Sequence, residues 1–519
     1  MTDQSAVHTD YPTLREQLGA LSSGSVSSVD LVTRALDRAE ASQSTLNAFR
    51  YFRREQALAE AAKADARRAR GEDLPLLGVP VAMKDDVDIT GLPTAFGCDD
   101  TGRRPATADA EMVRRLRAAG AVIVGKTNAP ELGQWPFTTG RFGVTRNPWS
   151  REHTPGGSSG GSAAAVSAGI VAAAMGSDGA GSVRIPASCT NLVGIKPQRG
   201  RIPTYPETEQ FQGLTVLGPL AHTVSDAALL LDTLSGPHPG DRHRPAPVST
   251  SEWVGRDPGR LRIGLSFDIP FTATPSTFDP QVLAATERVA NALVRLGHDV
   301  VLDGPRYGKT LGLNFLPRSM AGLEGWRQRF PDPSLLDPRT LDNARNGRLL
   351  GGLPLAAART AEPRIRRRVG KVFDRVDVVL APTTATPPMA ADAIDGLGGW
   401  DTDKAITAFC PMTWPWNVLG WPAVNVPAGF TEDGLPMGTQ LMGHTNSEPL
   451  LVAVAAQLED ELGWARVNPE PWWCRTHPRR GSRPATASSS RYSKSSAPRA
   501  YRPSPTGASR PRQASRSAR

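Results

Sequence analysis

Residues 154–200 hold two clusters of glycine and serine, 156–162 (G-G-S-S-G-G-S) and 179–182 (G-A-G-S), on either side of an alanine-rich apolar segment. Serine supplies a hydroxyl that can attack a carbonyl or pass a proton. Glycine lets backbone N–H groups converge where a side chain would block them. Such donors beside a nucleophilic serine are what acyl transfer needs, because its tetrahedral intermediate carries an oxyanion. A flexible linker would share the Gly/Ser content. It would not contain an apolar helix over about 163–174, nor run on into Val183-Arg184-Ile185-Pro186. A third group stands upstream: Lys84 ends the apolar run 77–83 and precedes Asp85-Asp86-Val87-Asp88. Burial disfavours the charged ammonium, so such a lysine can become a base. From the residues alone, a structural ion pair with Asp85 or Asp88 is the favoured account of it.

The elements that must position these groups alternate. Helices are predicted within 13–69, a strand over 77–83, a helix over 107–120 and a strand over 121–125. Helix–strand alternation points to α/β architecture with parallel strands. Further on, 227–234 reads as a helix, and 261–302 as a strand–helix–strand unit packed beside the main sheet. Residues 305–370 read as irregular, Arg-rich chain with short helices. A strand over 376–383, a hairpin pairing 422–427 with 437–442, and a closing helix over 448–462 complete the chain. His222 lacks any local partner acid or nucleophile and reads as structural.

The chain of 519 residues carries a net charge of +9. Residues 475–519 hold 12 Lys/Arg and no Asp or Glu, so the remainder stands at −3 and the basic character belongs to the tail. This argues against a nucleic-acid-binding body. The tail has almost no aliphatic residues and is assigned as disordered, leaving 1–474 as the folded domain. Its composition fits a non-functional extension better than a nucleic-acid-binding arm. The four cysteines form no C-x-x-C pair, and the eight histidines show no metal-site spacing, so no metal or cofactor is expected. With no signal-peptide pattern at the start and no apolar stretch long enough to span a bilayer, a cytoplasmic protein is expected.

The motifs G-V-P-V-A-M-K-D (78–85), V-G-K-T-N (124–128), T-P-G-G-S-S-G-G-S (154–162) and G-S-D-G-A-G-S-V-R-I-P-A (176–187) occur in order, followed by G-P-L-A-H-T-V-S-D, W-P-A-V-N-V-P and G-L-P-M-G-T-Q-L. Together they resemble the amidase signature superfamily of serine hydrolases, over about 14–473. The resemblance implies a large mixed, mostly parallel sheet sandwiched between helices. It also implies a Ser–cis-Ser–Lys triad: Lys84 as base, Ser158 as bridging serine at a non-proline cis peptide, and Ser182 as nucleophile, with the two serines 24 residues apart. This overturns the ion-pair account of Lys84. The N–H groups of Gly179, Ala180, Gly181 and Ser182 would hold the oxyanion. Asp178 and Arg184 would brace the loop, and Ser159 would bond Lys84 or the loop. Cys189 reads as a small buried residue. Three positions depart from the family's common pattern: Ala180, Asp86 where asparagine is common, and His222 where arginine is common. At Ala180 a positive φ would be mildly strained.

The function implied is hydrolysis of a small, aryl or alkyl carboxylic amide, without cofactor or membrane and with a homodimer left open. The pocket is expected near 135–142, 305–350 and 409–416. The alternative is the amidase subunit of a glutamine-dependent tRNA amidotransferase. Ile185 after Arg184 counts against it, since that subfamily resembles R-Q-P there. Removing residues 475–519 is expected to leave amidase turnover at the full-length level, measured as kcat/KM on the same amide.

Overall fold

Eleven strands form one sheet: β1 (Phe49–Phe52), β2 (Pro80–Lys84), β3 (Val122–Thr127), β4 (Ala173–Asp178), β5 (Val193–Lys196), β6 (Val216–Ala221), β7 (Arg262–Leu265), β8 (Asp299–Leu302), β9 (Val378–Pro382), β10 (Ala423–Phe430) and β11 (Pro436–Met442). Their order is β1-β3-β2-β4-β6-β5-β10-β11-β9-β7-β8. The structure is a computed structural model that describes residues 11–99, 103–272, 274–330 and 332–474. The tail at 475–519 lies outside the described residues.

The sheet is mixed. Parallel ladders join β3-β2-β4 and β9-β7-β8. The strands between these blocks pair antiparallel, as does β1 at the edge. The β10–β11 hairpin sets that direction locally, since a short connection can only return the chain antiparallel. The strand–helix–strand unit at 262–302 is the sheet's far edge, joined to it through β9, rather than a body beside it.

Strand residues alternate between two apolar layers. Val81 and Met83 join one core with the helices Glu111–Ala118, Val224–Leu234, Pro280–Arg295 and Glu448–Leu462. Ala82, Val122, Val124 and Ala174 join the other, against the helices Ser28–Ser42 and Gly160–Ser167. By the same alternation Lys84 falls on the side of Ala82, the side that carries the Gly/Ser helix.

That helix spans Gly160–Ser167 and stops earlier than its sequence suggests. Gly169 takes a left-handed turn at φ 65°, and the small residues of 173–178 continue as β4. Alanine propensity favours a helix here, but a central strand position overrides it. Ser162 Oγ donates to the Met175 carbonyl (3.0 Å) and shares a hydrogen with Thr127 Oγ1 (2.7 Å), so the helix is fastened to β3 and β4.

Residues 305–370 are not irregular. They form three long helices, Lys309–Arg327, Pro338–Leu350 and Leu353–Gly370. Pro317 and Pro363 lie inside two of them and break the sequence signal.

Gly161 sets how closely its helix approaches the sheet. A Cβ there would lie 2.5 Å from the Asn128 carbonyl oxygen and 2.6 Å from that of Ala48. Gly161→Ala is therefore expected to lower stability by about 1–3 kcal/mol, read as an earlier urea midpoint at unchanged m-value.

Candidate active site

Lys84 is the last residue of β2 and is 1% exposed. Its Nζ donates to Ser158 Oγ and to Ser177 Oγ, both at 2.7 Å. Asp86 Oδ2 lies 3.3 Å from Nζ and accepts from Ser177 Oγ at 2.5 Å. Burial drives the Lys84 pKa down from the ordinary lysine value, against the opposing pull of Asp86 and, more weakly, Asp178. The pairing differs from the ion pairs considered from sequence. Asp85 projects to the other face and meets Lys126 at 2.6 Å, where burial raises its pKa to about 6 despite that lysine. Asp88 accepts from Thr94 Oγ1. Lys84 is left with hydroxyls and one carboxylate.

Ser158 follows Gly157 through a cis peptide bond and precedes the helix Gly160–Ser167. Gly157 has no room for a side chain, since a Cβ would stand 2.7 Å from the Phe137 nitrogen. Ser159 bonds the loop rather than the lysine. Its N–H donates to the Ser182 carbonyl (3.1 Å), and its Oγ donates to the Ser177 carbonyl (3.1 Å). These bonds tie the two Gly/Ser clusters together. Ser182 is 8% exposed against 1% for Ser158 and Lys84, so it is the member of the three that faces outward.

The loop from 178 to 184 is built around one carboxylate. Asp178, fully buried, accepts from the N–H groups of Gly181 (2.8 Å) and Val183 (3.2 Å) and from Arg184 Nε and Nη2, each at 3.0 Å. Burial pushes its pKa up, but Arg184 outweighs this and holds the carboxyl well below its usual range. Arg184 in turn donates to Gln440 Oε1 (2.7 Å) on β11 and Asn417 Oδ1 (2.8 Å). Asn417 Nδ2 closes the ring on Asp178 Oδ1 at 2.9 Å. The Gly181 N–H, expected among the oxyanion donors, is thus already given to Asp178. The positive φ of the loop falls on Gly181 (125°), and Ala180 is free of the strain considered for it.

His222 is buried, with Nε2 against the Val166 carbonyl at 2.9 Å, in keeping with a structural role. Cys189 packs with Ile185 and Phe409, and burial raises its thiol pKa. Sequence reasoning missed Ser177, Asn417, Gln440 and Thr413, whose Oγ1 donates to the Ala180 carbonyl at 2.5 Å. Ser177 stood inside the motif at 176–187, as the alternate neighbour of Met175 and Gly179. The other three lie more than 200 residues downstream, with no local signal.

The model of the Amidase family matches residues 30–452. A Mycobacterium tuberculosis protein named as an amidase, AmiA2, is 59% identical over 463 residues, covering 89% of this chain and 96% of its own length. The chain belongs to the amidase family. A glutamyl-tRNA(Gln) amidotransferase component from Synechococcus is more distant, at 35% identity over 87% of this chain and 97% of its own. Among solved structures, 6-aminohexanoate cyclic dimer hydrolase complexed with substrate aligns with a TM-score of 0.80 at 29% identity, over 90% of this chain and 99% of its own. This amidase-family chain therefore shares its fold with enzymes that act on amide bonds.

A Cβ on Gly181 would fall 2.3 Å from Thr413 Oγ1. Gly181→Ala is expected to cost roughly 100-fold in kcat/KM by displacing the loop, with an unchanged far-UV spectrum. Arg184→Met would leave Asp178 buried without its cation, and is expected to destabilise the fold by about 3–5 kcal/mol in a denaturant titration.

Proposed function

We propose that the protein hydrolyses a carboxylic acid amide to the acid plus ammonia or an amine, through an acyl-Ser182 intermediate. The observation that carries this is the 2.7 Å bond between buried Lys84 Nζ and Ser158 Oγ. A neutral Lys84 takes the Ser158 proton as Ser158 takes the proton of Ser182. Ser182 Oγ then bonds the amide carbon. With the Gly181 N–H committed to Asp178, the N–H groups of Gly179, Ala180 and Ser182 are assigned to the oxyanion. One such donor contributes roughly 3–4 kcal/mol to the transition state in other hydrolases. When the C–N bond breaks, the leaving amine takes a proton from Ser158, which Lys84 replaces. Water attacks the ester by the same relay and releases the acid. Asp178, Arg184 and Ser159 hold the loop, and each step uses the chain's own groups.

An apolar acyl group suits the surroundings. Ala180, Phe211 and Phe315 pack against an apolar cluster that includes Leu214 and Trp414. The stand-alone hydrolase is preferred to the amidotransferase component because the AmiA2 likeness exceeds the amidotransferase likeness by a wide margin. Among the described residues no helix is long and apolar enough to cross a membrane. The four cysteines without paired spacing keep the cytoplasm as the location in this reading.

Intact-mass analysis after a fluorophosphonate is expected to show one adduct on the wild type and none on Ser182→Ala. Failure to label a folded wild type would overturn the reading. The rate is expected to rise with pH as Lys84 loses its proton, with a limb below the ordinary lysine value of 10.5. Asp86 favours the charged lysine, so Asp86→Asn is expected to move that limb to lower pH, measured as a kcat/KM profile.

A further inference from the structure

A cavity of about 250 Å3 lies at the opposite end of β2 from Lys84. Pro80, the first residue of that strand, lines it, and Lys84 is the last. The four-residue step between them spans about 13 Å. None of the residues placed at the active site lines the cavity. Leu31, Ala35, Ile170 and Val171, all buried, give it an apolar wall. Tyr11 and His222, whose rings stack with centroids 6.4 Å apart, also line it.

The charge at this cavity is positive. Arg34 and Arg38, one turn apart on the helix Ser28–Ser42, line it and are both exposed. Arg38 Nη1 donates to the Gly169 carbonyl at 2.8 Å, and Gly169 lines the cavity too, which holds that guanidinium at the mouth. A guanidinium has further N–H groups to give. Among the described residues no Asp or Glu lines the cavity. The acids of the same helix are engaged elsewhere: Asp30 accepts from Ser27 Oγ, and Asp37 and Glu40 pair with Arg54. Burial holds His222 below the usual histidine pKa, so the two arginines carry the charge.

Size and charge together select the ligand. An apolar cavity of about 150 Å3 accepts benzene, and sites for drug-sized ligands begin near roughly 300 Å3. The volume here suits one ring with a short substituent. The apolar wall takes the ring, and two guanidiniums at the mouth match the planar fork of a carboxylate. We propose that this cavity binds a small arylcarboxylate, with its ring against the apolar wall and its carboxylate on Arg34 and Arg38. The site stands apart from acyl transfer.

The test is isothermal titration of the full-length protein with phenylacetate. One saturable site is expected. 2-Phenylethanol keeps the ring without the charge, and acetate keeps the charge without the ring; each is expected to bind at least about tenfold more weakly. The double variant Arg34→Gln/Arg38→Gln is expected to weaken phenylacetate at least about tenfold. If it fails to fold, Arg34→Gln alone carries the test, since Arg38 is the arginine bonded to Gly169. Absence of phenylacetate binding would overturn the site. Equal affinity for 2-phenylethanol would remove the anion from the assignment, and equal affinity for acetate would remove the ring; either sinks it. Unchanged affinity in the arginine variants would put the acid elsewhere, the active site included, and is equally fatal. Labelling of Ser182 does not enter, so this result and that of the fluorophosphonate can fail separately.

Discussion

Everything at this site turns on one buried lysine amine set among hydroxyls. An ammonium in this position, with a carboxylate 3.3 Å away, could settle as a salt bridge and do no chemistry. Ser177 closes a triangle with the two charges, accepting from Lys84 and donating to Asp86. The hydroxyl weakens the pull of the acid while burial weakens the ammonium itself. What remains is a buried amine bonded to Ser158, the base of the proposed reaction.

Holding that geometry requires strands and helix to meet within a methyl group of each other. The alanines of Gly160–Ser167 and the small residues of β4 achieve this by lacking volume. Their contribution is less the area they bury than the distance they allow, since larger side chains would lift Ser158 away from the strand that carries Lys84. Packing at native density transmits such shifts rather than absorbing them.

The loop from 178 to 184 is fixed by a different device. Asp178 and Arg184 form a fully buried ion pair, and such pairs are weak contributors to net stability because desolvation offsets their attraction. Here its partners are informative. Asn417 and Gln440 come from the last quarter of the chain and saturate the arginine. The loop that presents Ser182 is therefore completed only when β10 and β11 close on β5, which couples the site to the assembly of the whole sheet.

Much of this was legible in the sequence. Lys84, Ser158, Ser182, Asp178 and Arg184 lie in contiguous motifs whose family resemblance set aside the ion-pair account that Lys84 invites on its own, and most strands and the closing helix follow from apolar runs and their punctuation. Two of the three helices of 309–370 were hidden by internal prolines, and β4 by its alanines, because propensity is a local quantity and these segments are decided by their neighbours. The acid beside Lys84 was misjudged: Asp85 or Asp88 was expected, and Asp86 takes the place, because only the face each residue takes at the end of β2 separates the three. Residue types and their spacing marked serine hydroxyls and glycine-rich backbone donors as groups suited to acyl transfer, and the motif resemblance added Lys84 to them. Folding alone settled which acid faces the lysine, which N–H groups stay uncommitted and which distant amides hold the loop, because each of these depends on distances between segments that share no local sequence.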